Sequence, residues 1–322
     1  DDAFVEMHTK SRPSNSRYQK SMSAIINIPF DGLNEDNTIE MSYYFGPNDF
    51  KELKQYDINL EKQIPLGGKL VAWINRLIVI PVFDWLGQYG WSYGVVILIL
   101  TLIIKICLMP IAFKSYMSSA KMRVLKPEID VINEKYPKQE DAMKKQQAIM
   151  DLYKKAGASP TSGCLPMLLQ FPILIAIFRF FPSSIELRQQ PFLWADDLST
   201  YDSILDLPFN IPFYGDHVSL FTLLMTASTL LYTYINNKQM KQAQGDQAMP
   251  GMTLMLYLMP IIFLGVFNSY SAGLSYYYLL VNLFTFLQMY IFKISINEDR
   301  LRKQIEKAKK KLENSKKCYE LF

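Results

Sequence analysis

Apolar residues in this chain fall into long blocks rather than the alternations or narrow stripes of a soluble fold. Five blocks are candidates for membrane spans: residues 91–113, 163–182, 217–235, 252–267 and 272–292. A bilayer core of roughly 30 Å needs about 20 helical residues. The fourth block, at 1.5 Å per residue, reaches only about 24 Å. The second is interrupted by Pro166, Gln170 and Pro172. Short spans thin the bilayer around them or make flanking groups snorkel. Ahead of the five lies LGGKLVAWINRLIVIPVFDWLGQ, where Lys69, Asn75, Arg76 and Asp84 break the apolar run and Trp73 and Trp85 sit towards its ends. That pattern predicts a helix over 66–90 lying in the membrane interface and kinked at Pro81, with a full span as the other reading.

The polar segments between the blocks have their own periods. Residues 1–46 hold three strand-like runs, AFVEM, SAIINIPF and TIEMSYYFG, separated by turn sequences. Three short strands do not sustain a core alone. They are expected to be the end of a larger β domain, residues 1–65 with their linker, whose beginning precedes this sequence. Residues 114–160 contain two amphipathic runs, YMSSAKMRVLKPEIDVINEKYP and EDAMKKQQAIMDLYKKAG, divided at Tyr136-Pro137. They predict an antiparallel pair of helices, the second stopping at Gly157. Residues 293–322 read as a basic helix or arm.

Charge orients these pieces. Ten Lys and Arg fall in 114–160, ten in 293–322 and two in 236–251. The intervening 183–216 has one, Arg188, against six acids. The positive-inside rule then places the hairpin and tail in the cytoplasm and residues 1–65 outside. Half of the residues are hydrophobic and 20% charged, below the quarter usual in soluble domains. Cys107, Cys164 and Cys318 lie too far apart for a metal site or disulfide framework. No nucleophile with a base, phosphate loop or metal cluster is legible, so a non-enzymatic protein without cofactor is expected.

The sharpest chemical feature is Lys105, inside ILILTLIIKICLMPIAF. A charge at that depth costs about 2.5–3.5 kcal/mol on insertion scales. It lies about 12 Å from the Phe113 end of its helix. Either the side chain snorkels towards the headgroups, or it faces a water-filled cavity between helices. No acidic residue occurs within the other spans to pair with it, which favours water. Thr101, one turn away, Gln170, Asn282 and Gln288 are further polar residues in spans, where the ordinary role is interhelical bonding.

The ordered motifs YFGPNDFKELKQY, KICLMP, SSAKMRVLKPEI, GASPTSGCLPMLLQFPILIAIFRFF, IELRQQPF, LMPIIF and SAGLSYYYLLVNL resemble the YidC-type membrane protein insertases of bacteria. The resemblance covers nearly the whole chain. It implies a polytopic α-helical protein: a five-helix insertase core with an interfacial helix and a cytoplasmic helical hairpin, behind the remnant of a periplasmic β-sandwich. It also implies a hydrophilic groove open to cytoplasm and lipid. The family's usual groove Arg is matched here by Lys105, a departure, since Lys can lose its proton when desolvated. Thr101, Gln170, Tyr278 and Asn282 match polar or substrate-facing family positions, and Phe171 an apolar sliding surface. The implied partners are nascent membrane proteins, the lipid bilayer, the Sec translocon and the ribosome, with no specific DNA. The implied location is the bacterial inner membrane. The competing readings are a secondary transporter or channel using the same cavity, and a membrane-anchored scaffold in which Lys105 is dispensable.

Overall fold

The computed structural model describes residues 4–11, 20–27, 41–137, 141–159, 165–244, 250–297, 299–303 and 305–307. They belong to two units, 1–47 and 48–322. In the first, β1 (Phe4–Ser11) pairs antiparallel with β2 (Lys20–Asn27), in register from Phe4 opposite Asn27 to Ser11 opposite Lys20. Of the expected third strand, residues 38–40 lie outside the described residues. Residues 41–46 form no strand: Tyr43 and Phe45 stack on each other with their rings exposed. No described neighbour supplies a ladder for their backbone there, and an isolated strand has nothing to hold it.

The second unit begins with α1 (Phe50–Gln55), whose N-terminus is capped by the Asp49 carboxylate accepting from the N–H groups of Lys51 and Glu52. Next come α2 (Lys69–Ile74), a π-helical turn (Asn75–Val79) and α3 (Ile80–Gly87). The bend expected at Pro81 is taken up by that π turn. Proline has no N–H and its ring crowds the carbonyl four residues back, so the widened turn moves the clashing carbonyl away. Asn75 is wholly buried there and donates to the carbonyls of Leu66 (3.2 Å) and Ala176 (3.0 Å).

The remaining helices are α4 (Tyr93–Val124), α5 (Lys126–Lys135), α6 (Ala142–Ala156), α7 (Leu165–Ser183), α8 (Leu220–Gln244), α9 (Pro250–Asn268) and α10 (Ala272–Ser295). Between α7 and α8 runs the hairpin of β3 (Leu205–Ile211) and β4 (Gly215–Val218). α10 packs on α8 and α4, α8 on α9, and α7 on α4 and α2. By length and composition, residues 69–87, 93–124 and 272–295 are able to cross a membrane; α7 and α9 contain shorter apolar stretches.

Three expected boundaries move. The run YMSSAKMRV is the continuation of α4 and not part of the first hairpin helix. The break falls at Leu125, because Pro127 cannot bond back to Arg123 and sits instead in the first turn of α5. α7 is one continuous helix despite Pro172: a single missing bond does not interrupt nineteen residues whose neighbours pack around them. The third span starts at Leu220, and His217 belongs to β4 with its ring buried.

α5 and α6 close on a small core of their own: Met122, Leu125, Ile129, Ile149, Tyr153 and Ala156. Gly157 ends α6 in the left-handed region (φ 61°), where a side chain would be strained. Two residues of the SSAK sequence clamp the turn beyond α6: Lys121 donates to the Gly157 carbonyl (3.1 Å) and Ser118 to that of Ser159 (3.1 Å). Ile305, from the basic tail, fills the same core, and Leu301 is buried one turn earlier. The tail is therefore docked on the hairpin at least to this point. Replacing Ile305 by Ala should cost about 2–5 kcal/mol locally. Limited trypsin digestion at Arg300, Arg302 and Lys303 should accelerate at least about tenfold; an unchanged rate would mean the docking is not stabilising.

Candidate functional site: a polar cavity between the helices

Helical spacing brings the site together. On α4 the positions 105, 108, 112, 115 and 119 share a face; on α8, 232, 236 and 239; on α10, 278, 282, 285 and 289. These faces, with Gln170, Phe171 and Leu174 of α7, enclose a cavity of about 240 Å³. The lining spans residues 105–119 of α4, 232–239 of α8 and 278–292 of α10, extending from there towards the ends of these helices nearer the α5–α6 hairpin.

Lys105 sits in its wall, 9% exposed. Its amine donates to Thr285 Oγ1 at 2.8 Å, and Thr285 passes its own proton to the Val281 carbonyl at 2.6 Å. Gln288 Nε2 donates to the Lys105 carbonyl at 3.1 Å, fastening the two helices at this level. An ammonium has three donors, and among the described residues Thr285 is its one side-chain partner. No described lining residue is acidic. Asn282, on the adjoining turn of α10, donates to Ser228 (2.9 Å) and Thr229 (2.9 Å) of α8. Gln170 donates to the fully buried Tyr277 (3.4 Å). Phe171 stands at the rim, 58% exposed.

Six of the seven residues singled out in the sequence, Lys105, Gln170, Phe171, Tyr278, Asn282 and Gln288, line this cavity. Thr101 does not: it is wholly buried one turn beyond the floor and bonds the Ile97 carbonyl of its own helix (2.6 Å). A residue four positions away shares a face, yet the cavity ends between the two turns. Sequence reasoning did not identify Tyr232, Asn236 and Gln239, although their spacing on a mostly apolar helix was the available signal. Tyr278 also borders a second cavity of about 240 Å³, nearly all apolar, between α7, α8 and α9.

The opposite end of the bundle is closed by a buried polar cluster. The Asp202 carboxylate, 2% exposed, accepts from the Trp194 indole (2.8 Å), the Ser219 hydroxyl (2.5 Å) and the backbone N–H groups of Leu220 (2.9 Å) and Phe221 (3.1 Å). Ser219 in turn accepts from the Thr222 N–H (3.1 Å). Asp202, from the preceding loop, and Ser219 between them thus satisfy the first three N–H groups of α8. Asn268, at the end of α9, donates to the carbonyls of Tyr214 and His217, and accepts from the Ser219 N–H. The His217 ring stacks on Tyr201 at 3.8 Å, and its hydrogen bond holds the Asp216 carboxyl below the usual carboxylate range.

Residues 85–300 match the family described as 60Kd inner membrane protein. The "Membrane protein insertase YidC" of Parabacteroides distasonis is 50% identical over 304 residues, 91% of this chain and 48% of that protein. That of Bacteroides fragilis is 50% identical over 318 residues, covering 96% and 51%. That of Porphyromonas gingivalis is 41% identical over 327 residues, covering 96% and 52%. The chain spans about half the length of the curated relatives it matches. A solved structure, "Active YidC insertase crystal structure with the first transmembrane domain resolved", aligns with a TM-score of 0.49 and 21% identity, over 88% of this chain and 60% of that one. With the family match running from α3 to beyond α10, and helices long enough to cross a bilayer, the chain is a multi-pass inner membrane protein of the 60Kd inner membrane protein family, akin to the YidC insertases.

Proposed function

We propose that this chain is the membrane-embedded part of an insertase, and that the cavity around Lys105 receives the polar end of an incoming helix. The observation that carries the reading is an amine placed deep between spans, in a wall of amides and hydroxyls, with no acidic residue beside it among the described lining. A nascent membrane protein leaves water at the hairpin end. Its short translocated tail enters the cavity, where an acidic tail meets the Lys105 ammonium in surroundings of low dielectric. The short apolar stretches of α7 and α9 shorten the path that tail still has to cover. The apolar helix then passes Phe171 into lipid, and burial of its surface drives release. The residues of the site in this scheme are Lys105, Gln170, Phe171, Tyr278 and Asn282, with Thr101 supporting the floor from behind. Residues 1–65 are placed in the periplasm, and the hairpin and tail in the cytoplasm, where the docked basic tail suits a ribosome and the spans a Sec translocon. The transporter reading lacks, in the described lining, the carboxylates that carry protons along such paths.

The test is reconstitution of the whole natural protein in liposomes with a small single-span client. Insertion without ion flux is expected, and deletion of residues 126–155 should lower insertion at least about tenfold while leaving the spans folded. Ion flux through the cavity without insertion would replace this reading with a channel.

A further inference from the structure

No residue of the β3–β4 hairpin lines the Lys105 cavity. Its turn region, LPFNIPFY at residues 207–214, carries no charge; of the nearest carboxylates, Asp206 lies at the base of the hairpin opposite His217, and Asp216 follows Gly215, the partner of Ile211 across the turn. Phe213 is 98% exposed and Phe209 61%. Phe213 also occupies the left-handed backbone region (φ 68°), which bulky residues avoid. An aromatic side chain held out in a strained turn has two penalties in water and is relieved of one in hydrocarbon.

The direction of the tip is legible from its contacts with α9. Gly215 lies beside Asn268 and Ser269, and the Tyr214 carbonyl accepts from Asn268, all at the end of that helix. The Phe213 carbonyl lies against Gly265, so close that a Cβ at 265 would collide with it. Three residues of helix separate Gly265 from Asn268, or about 4.5 Å. The chain thus folds back along α9 towards its middle rather than away from it. The face of α9 there is apolar and exposed at Ile261, Ile262 and Val266.

We propose that the β3–β4 tip is a membrane wedge, its partner the headgroup–acyl boundary of the leaflet at the Asp202 end, with Phe213 and Phe209 seated among the lipids. The wedge adjoins the short apolar stretch of α9 and perturbs the bilayer where a polar segment has least distance to cross. It rests on the spanning assignment of α9, not on client insertion.

The test uses the whole protein with Cys107, Cys164 and Cys318 changed to Ser, and Phe213→Cys or Ser203→Cys labelled with an environment-sensitive fluorophore. Vesicles are of phosphatidylethanolamine and phosphatidylglycerol, with or without brominated acyl chains. Brominated lipid should quench the probe at 213 at least about threefold more than at 203, and aqueous iodide should do the reverse. Equal access of iodide to both sites would overturn the wedge, as would quenching of 213 by neither agent, the result if a protein or a second copy covers it. Client insertion measured on the same vesicles separates the two readings: active protein with an iodide-accessible 213 removes the wedge and leaves the insertase.

Discussion

Lys105→Glu is expected to abolish insertion of clients with acidic tails, while Lys105→Arg retains it. Two unit charges about 6 Å apart at an effective dielectric of 20 interact by roughly 3 kcal/mol, so reversing the sign shifts an acidic tail's energy by about twice that. Water in the cavity reduces this, and a loss of at least about a hundredfold remains the expectation. The local geometry works in the same direction. Thr285 gives its proton to Val281 and shows Lys105 only a lone pair. A carboxylate there meets an acceptor instead of making a bond, whereas a guanidinium still donates and stays charged. Lys105→Gln should fall between, and clients with neutral tails should change by no more than about threefold. The measurement is insertion of a matched pair of clients, acidic and neutral, by each variant in liposomes, with thermal melting as the control for folding. Full insertion of the acidic client by Lys105→Glu would remove charge attraction from the mechanism.

Asp202→Ala should be the most destabilising single change at the closed end of the bundle. It orphans an indole and two backbone N–H groups and leaves the Ser219 hydroxyl only Thr222 as an acceptor, in a place where Asp202 itself is 2% exposed. Loss of a helix cap costs about 1 kcal/mol, and each further unsatisfied buried group about 1–3 kcal/mol. The total is roughly 3–5 kcal/mol, non-additivity included. Asp202→Asn should be intermediate, because one oxygen remains while the amide nitrogen faces donors. Thermal melting of the purified protein in detergent checks the order wild type, Asn, Ala; an Ala variant melting with the wild type would show that α8 does not depend on this cap.

Much of this architecture was legible because its cause is local. A run of apolar residues makes a helix whatever surrounds it, and α4, α7, α8, α9 and α10 each cover most of one of the five predicted blocks, although α4 and α8 run on well past the predicted ends at 113 and 235. Tyr136-Pro137 and Gly157 end their helices by their own backbone chemistry, and both do so where expected. Where the sequence misled, the deciding partner was distant or absent. The YMSSAKMRV run is amphipathic enough to look like a hairpin helix; only the packing of Met122 against Ile149 and Tyr153 reveals why an extension of α4 carries that stripe. The expected strand at 41–46 has the right alternation and no described neighbour to pair with.

The sequence by itself determined which segments are helical, that an amine stands unpaired by carboxylates within one of them, and the family to which the whole belongs. Tertiary structure alone decided which polar residues meet. The depth at which the cavity ends left Thr101 behind its floor, and the rotation of α8, set by packing on its neighbours, put Tyr232, Asn236 and Gln239 into the cavity. Partners nearly twenty residues apart made Asp202 the cap of α8, and partners well over a hundred apart brought Ile305 to the hairpin. Such contacts arise only when the chain closes on itself, because their energy depends on a geometry that no local run of residues encodes.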